Sequence, residues 1–476
     1  MERIFVGEIL KCCHGSLLKG NKEDGFDSIS TDSRSLKRND LFIALKGKNF
    51  DGHNFIKEVD KLGAKGIIIS KEIENIKELK SKIIIKVHNT LQSLKSISKY
   101  YLSKFKDLKI IGVTGSNGKT TTKDIIAHIL SKENKVLKAK GSFNNSIGIS
   151  LTILELDYSY NLLVLEYGTN LKGEIKELLE IARPDIGIIT NIGRTHLEFF
   201  RNEKNVFKEK MDLVRGIKEK GTAIINVDDK YLRLALPSVK NKKILTYGIK
   251  NKADVRASRI FANRPKGAGF THAPLEGTGF TLRILNSKKT INLHLLGMHN
   301  IYNALAAVSA SFSLGMNINI IKKALEDFKI SSPHRLEMFK MKKVLIIDDT
   351  YNANPDSVRE AIKVLKNMHS QRKIIVLGDM AELGHKEANF HKEIGALIKD
   401  GDIDILITLG ELSENVNKGA MMKGMNKKNM FHFDNKDEVV NLLRNFLKKD
   451  DVVLIKGSRM MKMEEIVLKL KNILRR

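Results

Sequence analysis

Cysteine is nearly missing from this sequence: 476 residues hold two, Cys12 and Cys13, side by side. Adjacent positions cannot staple distant parts of a chain, which excludes a disulfide framework and points to a reducing compartment. Long apolar runs are missing as well. No stretch approaches the roughly 20 residues of a membrane-spanning helix, and the opening MERIFVGEIL lacks the basic-then-apolar layout of an export signal. A soluble, cytoplasmic protein is expected. There is no solenoid repeat and no low-complexity tract, and no G-x-G-x-x-G follows the strand-like runs near the end of the chain, so a dinucleotide fingerprint is absent there.

Charge of one sign is in excess. The formal net charge is +28, yet the lysines are scattered among Ile and Asn rather than clustered. A solvated Lys-rich surface accounts for this better than a nucleic-acid-binding face, and it would attract polyanionic ligands. With 42% hydrophobic residues the chain is an ordinary globular one, and its length exceeds what one core serves, so two or three domains are expected.

Three regions separate on pattern. Residues 1–88 carry short apolar runs between polar turns. Apolar residues at Leu91, Leu94, Ile97 and Tyr101 then predict a helix over 91–105 with one buried face. In residues 89–330, the runs KIIGVT (109–114), LLVLE (162–166), IGIIT (186–190) and TAIIN (222–226) alternate with helical segments, the grammar of a parallel, helix-covered sheet. Residues 263–280 read as a loop or β-rich insertion. Residues 331–476 repeat the α/β pattern with KVLIID (343–348), KIIVLG (373–378), DILITLG (404–410) and DVVLIKG (451–457), and look Rossmann-like.

The strongest local signal is Val113-Thr114-Gly115-Ser116-Asn117-Gly118-Lys119-Thr120-Thr121, between a strand and a helix. Glycines let backbone N–H groups curl around phosphate oxygens, and a helix N-terminus adds partial positive charge. Lys119 would neutralise terminal phosphates and Thr120 would hold Mg²⁺. A chance strand-turn-helix containing GKT explains the flanking strand and helix poorly. The loop departs from G-x-x-x-x-G-K-[ST], because Val113 stands five before Gly118.

In that form the loop resembles those of the Mur ligases and folylpolyglutamate synthetases, and the resemblance to Mur ligases extends over nearly the whole chain. Thr31-Asp32-Ser33-Arg34 and LFIALKGKNFDGHNF (41–55) resemble the UDP-binding segment, which implies contacts from Ser33, Arg34, Lys46 and Gly47. GSFNNSIGISLTIL (141–154) resembles the substrate-facing loop through Asn144 and Asn145. Glu166, ending a strand, and His196, just past another, sit on the edge where α/β ligands bind; with Thr120 they suit a hard cation, Mg²⁺. Each alone would read as a solvated acid or a structural histidine. Lys210 matches the lysine that is carbamylated in the family. GMHNIYNALAA (297–307) resembles the adenine-contacting segment, implying Asn300 and Asn303, although Asn300 also reads as a helix cap. Arg335 and Asp349 match residues placed near the γ-phosphate and the ribose. VLGDMAELG (376–384) and KGSRMMKMEE (456–465) resemble the member adding D-alanyl-D-alanine; no role is assigned to Asp379 or Glu382.

The resemblance therefore implies three α/β domains: an N-terminal UDP-substrate-binding domain (1–88), a central P-loop ATPase domain with a mainly parallel sheet (89–330) and a C-terminal Rossmann-like domain (331–476) that closes over ATP. It implies an ATP- and Mg²⁺-dependent, ADP-forming amide ligase of peptidoglycan precursor synthesis. Such an enzyme would act as a monomer on UDP-N-acetylmuramoyl-tripeptide and D-alanyl-D-alanine, without nucleic acid. Lys119, Lys210, Arg335 and His196 are the implied catalytic set. Rivals are a ligase adding the third residue, whose D-N-P-R motif is not seen here, a folylpolyglutamate synthetase, which lacks the UDP domain, and a P-loop NTPase acting on nucleic acid.

Overall fold

The structure, a computed structural model, describes residues 1–47, 50–74, 76–263, 277–330, 332–341 and 343–475. Three main sheets follow one another along the chain. The first has five strands in the order Ser16–Lys19, Ile83–Lys86, Gly66–Ile69, Leu41–Ile43, Ile29–Ser30, parallel except for Ser16–Lys19. The short strands Ile4–Phe5 and Gly25–Phe26 pair beside it.

The helix Thr90–Leu102 buries Leu94, Ile97 and Tyr101, as the apolar spacing predicts, and stops three residues short of the expected end. Asn89 caps it by accepting from Gln92 N at 2.9 Å. Its buried face belongs to a core shared by both sides. Ile43, Ile68 and Ile83 of the first sheet meet Ile149, Leu163, Leu165 and Ile175 of the central region there.

The central sheet has nine strands. Seven run parallel from Val136–Lys138 through Leu162–Glu166, Lys109–Thr114, Ile186–Ile189, Thr222–Asn226 and Lys243–Gly248 to Val255–Asn263. Helices cover both faces, so these strands are buried on both sides and read as continuous runs of Ile, Val and Leu. In the strand Lys109–Thr114, Ile111 and Val113 join the helices Lys119–Leu130 and Met298–Ser313, while Ile110 points to the shared core. Gly277–Ile284 and Ser287–Leu293 extend the sheet as an antiparallel meander. The loop or β-rich insertion expected at 263–280 falls mostly on residues 264–276, which lie outside the described residues; Asn263 ends one strand and Gly277 begins the next.

The chain leaves the strand Lys109–Thr114 toward one side of the sheet and returns on the other, at Ile186–Ile189. That reversal opens a crevice at the C-terminal strand ends, where ligands bind in open α/β sheets. The third sheet has six strands ordered Glu337–Met341, Val344–Asp349, Asp451–Lys456, Arg372–Gly378, Ile405–Leu409, Met430–Phe433, antiparallel only at the Glu337–Met341 edge. No helix among the described residues is long and apolar enough to cross a membrane.

Candidate active site between the central and C-terminal sheets

The loop from Gly115 to Gly118 leaves a buried strand at the crevice and enters the helix Lys119–Leu130. Its path requires glycine twice. A Cβ on Gly115 (φ +147°) would lie 1.8 Å from Thr190 Oγ1, and one on Gly118 (φ +80°) would lie 2.2 Å from Asn303 Oδ1. The neighbouring strand end fixes the loop: Ser116 N donates to Asn191 O (2.9 Å), Asn117 N to Asn191 Oδ1 (3.0 Å), and Thr190 Oγ1 to Asn117 O (2.6 Å). Thr114 Oγ1 donates to Tyr167 O at 2.7 Å. Gly118→Ala is expected to cost about 1–2 kcal/mol for the left-handed backbone alone, with a further loss from the clash. Calorimetry should show a lower melting temperature and weaker ATP binding.

Lys119 folds its ammonium onto Gly115 O (3.0 Å) and Ser116 O (3.4 Å). Burial pushes its pKa below the ordinary value; Glu166 opposes this and Arg335 adds to it. A phosphate anion in the loop would restore the charged form. Thr120 is buried, and its hydroxyl donates to Glu166 Oε2 at 2.8 Å while accepting from Arg335 Nη2 at 3.1 Å. Asn144 Nδ2 occupies the other Glu166 oxygen at 2.9 Å. Thr121 lines the same cavity, which measures about 1050 Å³. Glu166 is 1% exposed, and both of its carboxyl oxygens are met by donors, a hydroxyl on one and an amide on the other.

His196 stands over the same cleft with its Nδ1 2.5 Å from Glu382 Oε2. That bond, working against burial, holds the Glu382 carboxyl below its ordinary range. Lys210, 2% exposed on the helix Glu203–Gly216, has its pKa driven well down, first by burial and then by Lys119, against the pull of Glu209 and Glu166.

From the C-terminal side, Arg335 stacks over Tyr351 with 3.8 Å between guanidinium carbon and ring centroid. Asp349 receives Lys456 Nζ at 2.6 Å and Leu336 N at 3.2 Å. Asn300 and Asn303 are buried against the phosphate loop: Asn303 Nδ2 donates to Asn300 Oδ1 (3.0 Å) and Thr122 Oγ1 donates to Asn303 Oδ1 (3.3 Å). Asn300 does not cap its helix. Gly297 holds that position, and Asn300, a turn further in, donates to Leu296 O at 2.8 Å.

The fold thus gathers Ser116, Asn117, Gly118, Lys119, Thr120, Thr121, Asn144, Asn145, Glu166, His196, Asn300, Asn303, Arg335 and Asp349 around one cavity. Asn145 also caps the helix Ser146–Ile153, accepting from Gly148 N at 2.8 Å. Ser33, Arg34, Lys46 and Gly47 do not line it; they lie in the first region. Ser33 is buried, Arg34 is exposed and pairs with Asp32 (2.7 Å), and Gly47 N donates to Phe50 O (2.7 Å).

Several residues not singled out in the sequence close the cleft from the C-terminal side. Asn354 caps the helix Pro355–Lys366 and donates from Nδ2 to Asn117 Oδ1 in the phosphate loop at 2.8 Å. Asp356 accepts from Arg194 N at 2.8 Å, and Arg194 also reaches Glu393 at 2.8 Å. The N-P-D-S stretch at 354–357 does carry the Asn-Pro signature of a capped helix start. Nothing local shows what that helix end would face.

Known sequences and structures resemble this arrangement along its whole length. The sequence model of the Mur ligase family, catalytic domain, matches residues 26–101, that of the Mur ligase middle domain matches 113–311, and that of the Mur ligase, glutamate ligase domain matches 334–459. A Bacillus subtilis (strain 168) protein named UDP-N-acetylmuramoyl-tripeptide--D-alanyl-D-alanine ligase is 36% identical over 92% of both chains. The crystal structure of MurF from Acinetobacter baumannii superposes with a TM-score of 0.89 at 29% identity, covering 99% of each chain. That of MurF ligase from Thermotoga maritima, in complex with ADP, superposes at 0.80 and 29% identity over 94% of this chain and 98% of that one. Matched in each of its three main sheets and across nearly its full length, the chain belongs to the Mur ligase family.

Proposed function

We propose that the protein joins D-alanyl-D-alanine to UDP-N-acetylmuramoyl-tripeptide through an amide bond, with ATP converted to ADP and phosphate, in peptidoglycan precursor synthesis. The observation that carries this reading is the meeting of Lys119, Thr120, Glu166 and Arg335 in one cleft built from two sheets. Relatives bearing that name and matching 92% of the chain support the choice of substrates.

The chemistry needs charge neutralised and groups positioned rather than a side-chain nucleophile, because a carboxylate and a triphosphate repel. The terminal carboxylate of the tripeptide attacks the γ-phosphorus, ADP leaves, and an acyl phosphate forms. The amine of D-alanyl-D-alanine attacks the acyl carbon, loses a proton, and phosphate departs from the tetrahedral intermediate. Loop N–H groups and the N-terminus of the helix Lys119–Leu130 cradle the phosphates, with Lys119 and Arg335 answering the transferred charge. Asn300 and Asn303 meet the adenine and Asp349 the ribose. Ser33, Arg34, Lys46 and Gly47 hold the uridine diphosphate end, while Asn144 and Asn145 face the peptide. The hydroxyl of Thr120 and the carboxylate of Glu166 are hard oxygen donors side by side, a set that fits Mg²⁺, with His196 and a carbamylated Lys210 completing it. When bound, Mg²⁺ supplies positive charge at the phosphate oxygens. The enzyme acts as a monomer in the cytoplasm, without nucleic acid.

Phosphate release by the purified protein with ATP and Mg²⁺ tests the reading. Sustained release is expected only when both the UDP-tripeptide and D-alanyl-D-alanine are present. Release that ignores the dipeptide and rises with added nucleic acid would overturn it.

A further inference from the structure

His196 and Glu382 share an unusual backbone state. His196 (φ +53°) and Glu382 (φ +61°) are both left-handed without being glycine, a strained conformation that persists where the surroundings enforce it. The surroundings here are each other. Glu382 O accepts from Glu198 N at 3.1 Å, and Glu382 Oε2 meets His196 Nδ1 at 2.5 Å. The two residues are 186 apart in sequence and come from different sheets: His196 follows the central strand Ile186–Ile189, and Glu382 follows the C-terminal strand Arg372–Gly378. The 2.5 Å contact sets Nδ1 of the ring against a carboxylate oxygen, and an acceptor at that place favours the tautomer that carries its proton on Nδ1. A neutral imidazole with its proton on Nδ1 carries its lone pair on Nε2. Both side chains line the cavity that holds Thr120 and Glu166.

We infer that Glu382 is a positioning residue: delivered by the C-terminal domain, it locks His196 in the Nδ1–H form when the two domains are closed, so that Nε2 is offered to the phosphate site only in that state. The inference rests on the proposed ligase reading for its consequence. His196 would then be presented to a cation held by Thr120 and Glu166 only once the C-terminal domain is in place, which would restrain hydrolysis of ATP before that. A carboxylate behind a ligating histidine is a recurrent way to fix ring tautomer and orientation, and its loss typically costs about 10–100-fold in affinity or activity. What this chain adds is that the carboxylate sits on a separate, closing domain.

The experiment compares wild type, Glu382→Ala and Glu382→Gln, each with ¹⁵N-labelled histidine rings, in the presence of Mg²⁺, a non-hydrolysable ATP analogue and the UDP-tripeptide. In wild type the His196 resonances should report a protonated Nδ1 and an unprotonated Nε2. In Glu382→Ala that signature should collapse toward a tautomer mixture, and kcat should fall about 10–100-fold with KM values for ATP and dipeptide little changed. Glu382→Gln keeps size and an acceptor oxygen, so it should retain part of the signature and lose less kcat; it also carries the test if the alanine variant fails to fold. A kcat loss with unaltered ring resonances, or unaltered kcat and resonances in Glu382→Ala, would overturn the inference. If wild type makes no ligation product, the proposed function falls instead, and the ring signature still reports whether Glu382 sets the tautomer.

Discussion

Replacing Lys210 with alanine is expected to lower kcat by about 10²–10³-fold, the loss typical when one preorganised charge-stabilising group is removed from an active site. A short carboxylic acid such as acetate should restore part of that loss. An ammonium that is 2% exposed and feels the positive charge of Lys119 is disfavoured twice, and its pKa is held far below the ordinary 10.5. A lowered pKa favours the neutral amine, the form that is nucleophilic toward carbon dioxide: nitrogen would attack carbon, a proton would leave, and the carbamate would carry a negative charge. Repulsion from Lys119 would become attraction, and a second anion would join Glu166. The sign of the stability effect follows. Between its lowered native pKa and about 10.5 the unfolded chain binds more of this proton than the native state, so burying the unmodified amine costs stability, and the cost shrinks as pH rises through that window. Stripping carbon dioxide should therefore lower activity and bicarbonate should return it. Lys208, exposed on the same helix, supplies the control, and its alanine variant should stay near wild type. Acetate stimulation no greater for Lys210→Ala than for Lys208→Ala would remove Lys210 from the site.

How much of this was legible depends on the range over which each feature is encoded. The strand Lys109–Thr114, the loop and the helix from Lys119 lie within a dozen residues, and their signals of β-branched run, glycines and helix start agree. Glu166 could be placed at a strand end because its strand is a pure apolar run of local length. The central sheet's parallel character follows from runs with no polar alternation, since helices cover both faces. Partners across the cleft carry no such signal. His196 and Glu382, Asn117 and Asn354, Arg194 and Asp356 lie 186, 237 and 162 residues apart, and each pair forms only because two folded sheets meet. Tyr351 under Arg335 is likewise ordinary as sequence and becomes distinctive only once stacked. Asn300 shows the converse limit. An asparagine before an alanine-rich helix reads as a cap, yet Gly297 caps it, because the first turn must pass within reach of Gly118 and both asparagines are buried against the loop. The first region's short apolar runs were legible, but not their fusion with the helix Thr90–Leu102 into a core shared with the central sheet.

Arg335→Ala is expected to reduce kcat/KM by about 10²–10³-fold, and Arg335→Lys to recover little of it. The reason is geometry rather than charge count. The segment before the strand Glu337–Met341 is held in an irregular path by left-handed backbone on both sides of the arginine, at His334 (φ +64°) and Leu336 (φ +52°). His334 Nδ1 pairs with Asp348 Oδ2 at 2.7 Å, and Leu336 N donates to Asp349 Oδ1 at 3.2 Å, so both flanks are tied to the end of the strand Val344–Asp349. Between them the guanidinium sits over the Tyr351 ring, its carbon 3.8 Å from the centroid, and projects Nη2 to Thr120. A flat, delocalised cation can stack and still present further N–H groups to phosphate oxygens, whereas the lysine ammonium is a point charge on a flexible stem that can do neither together. Because Arg335 belongs to the C-terminal domain and Thr120 to the central one, the same contact reports closure. Small-angle scattering of wild type should show compaction when an ATP analogue and the UDP-tripeptide are added, and Arg335→Ala should compact less. A lysine variant with wild-type kcat/KM would mean that charge alone suffices and the stacking on Tyr351 is incidental; an alanine variant with wild-type turnover and compaction would mean that Arg335 does not meet the transferred phosphate.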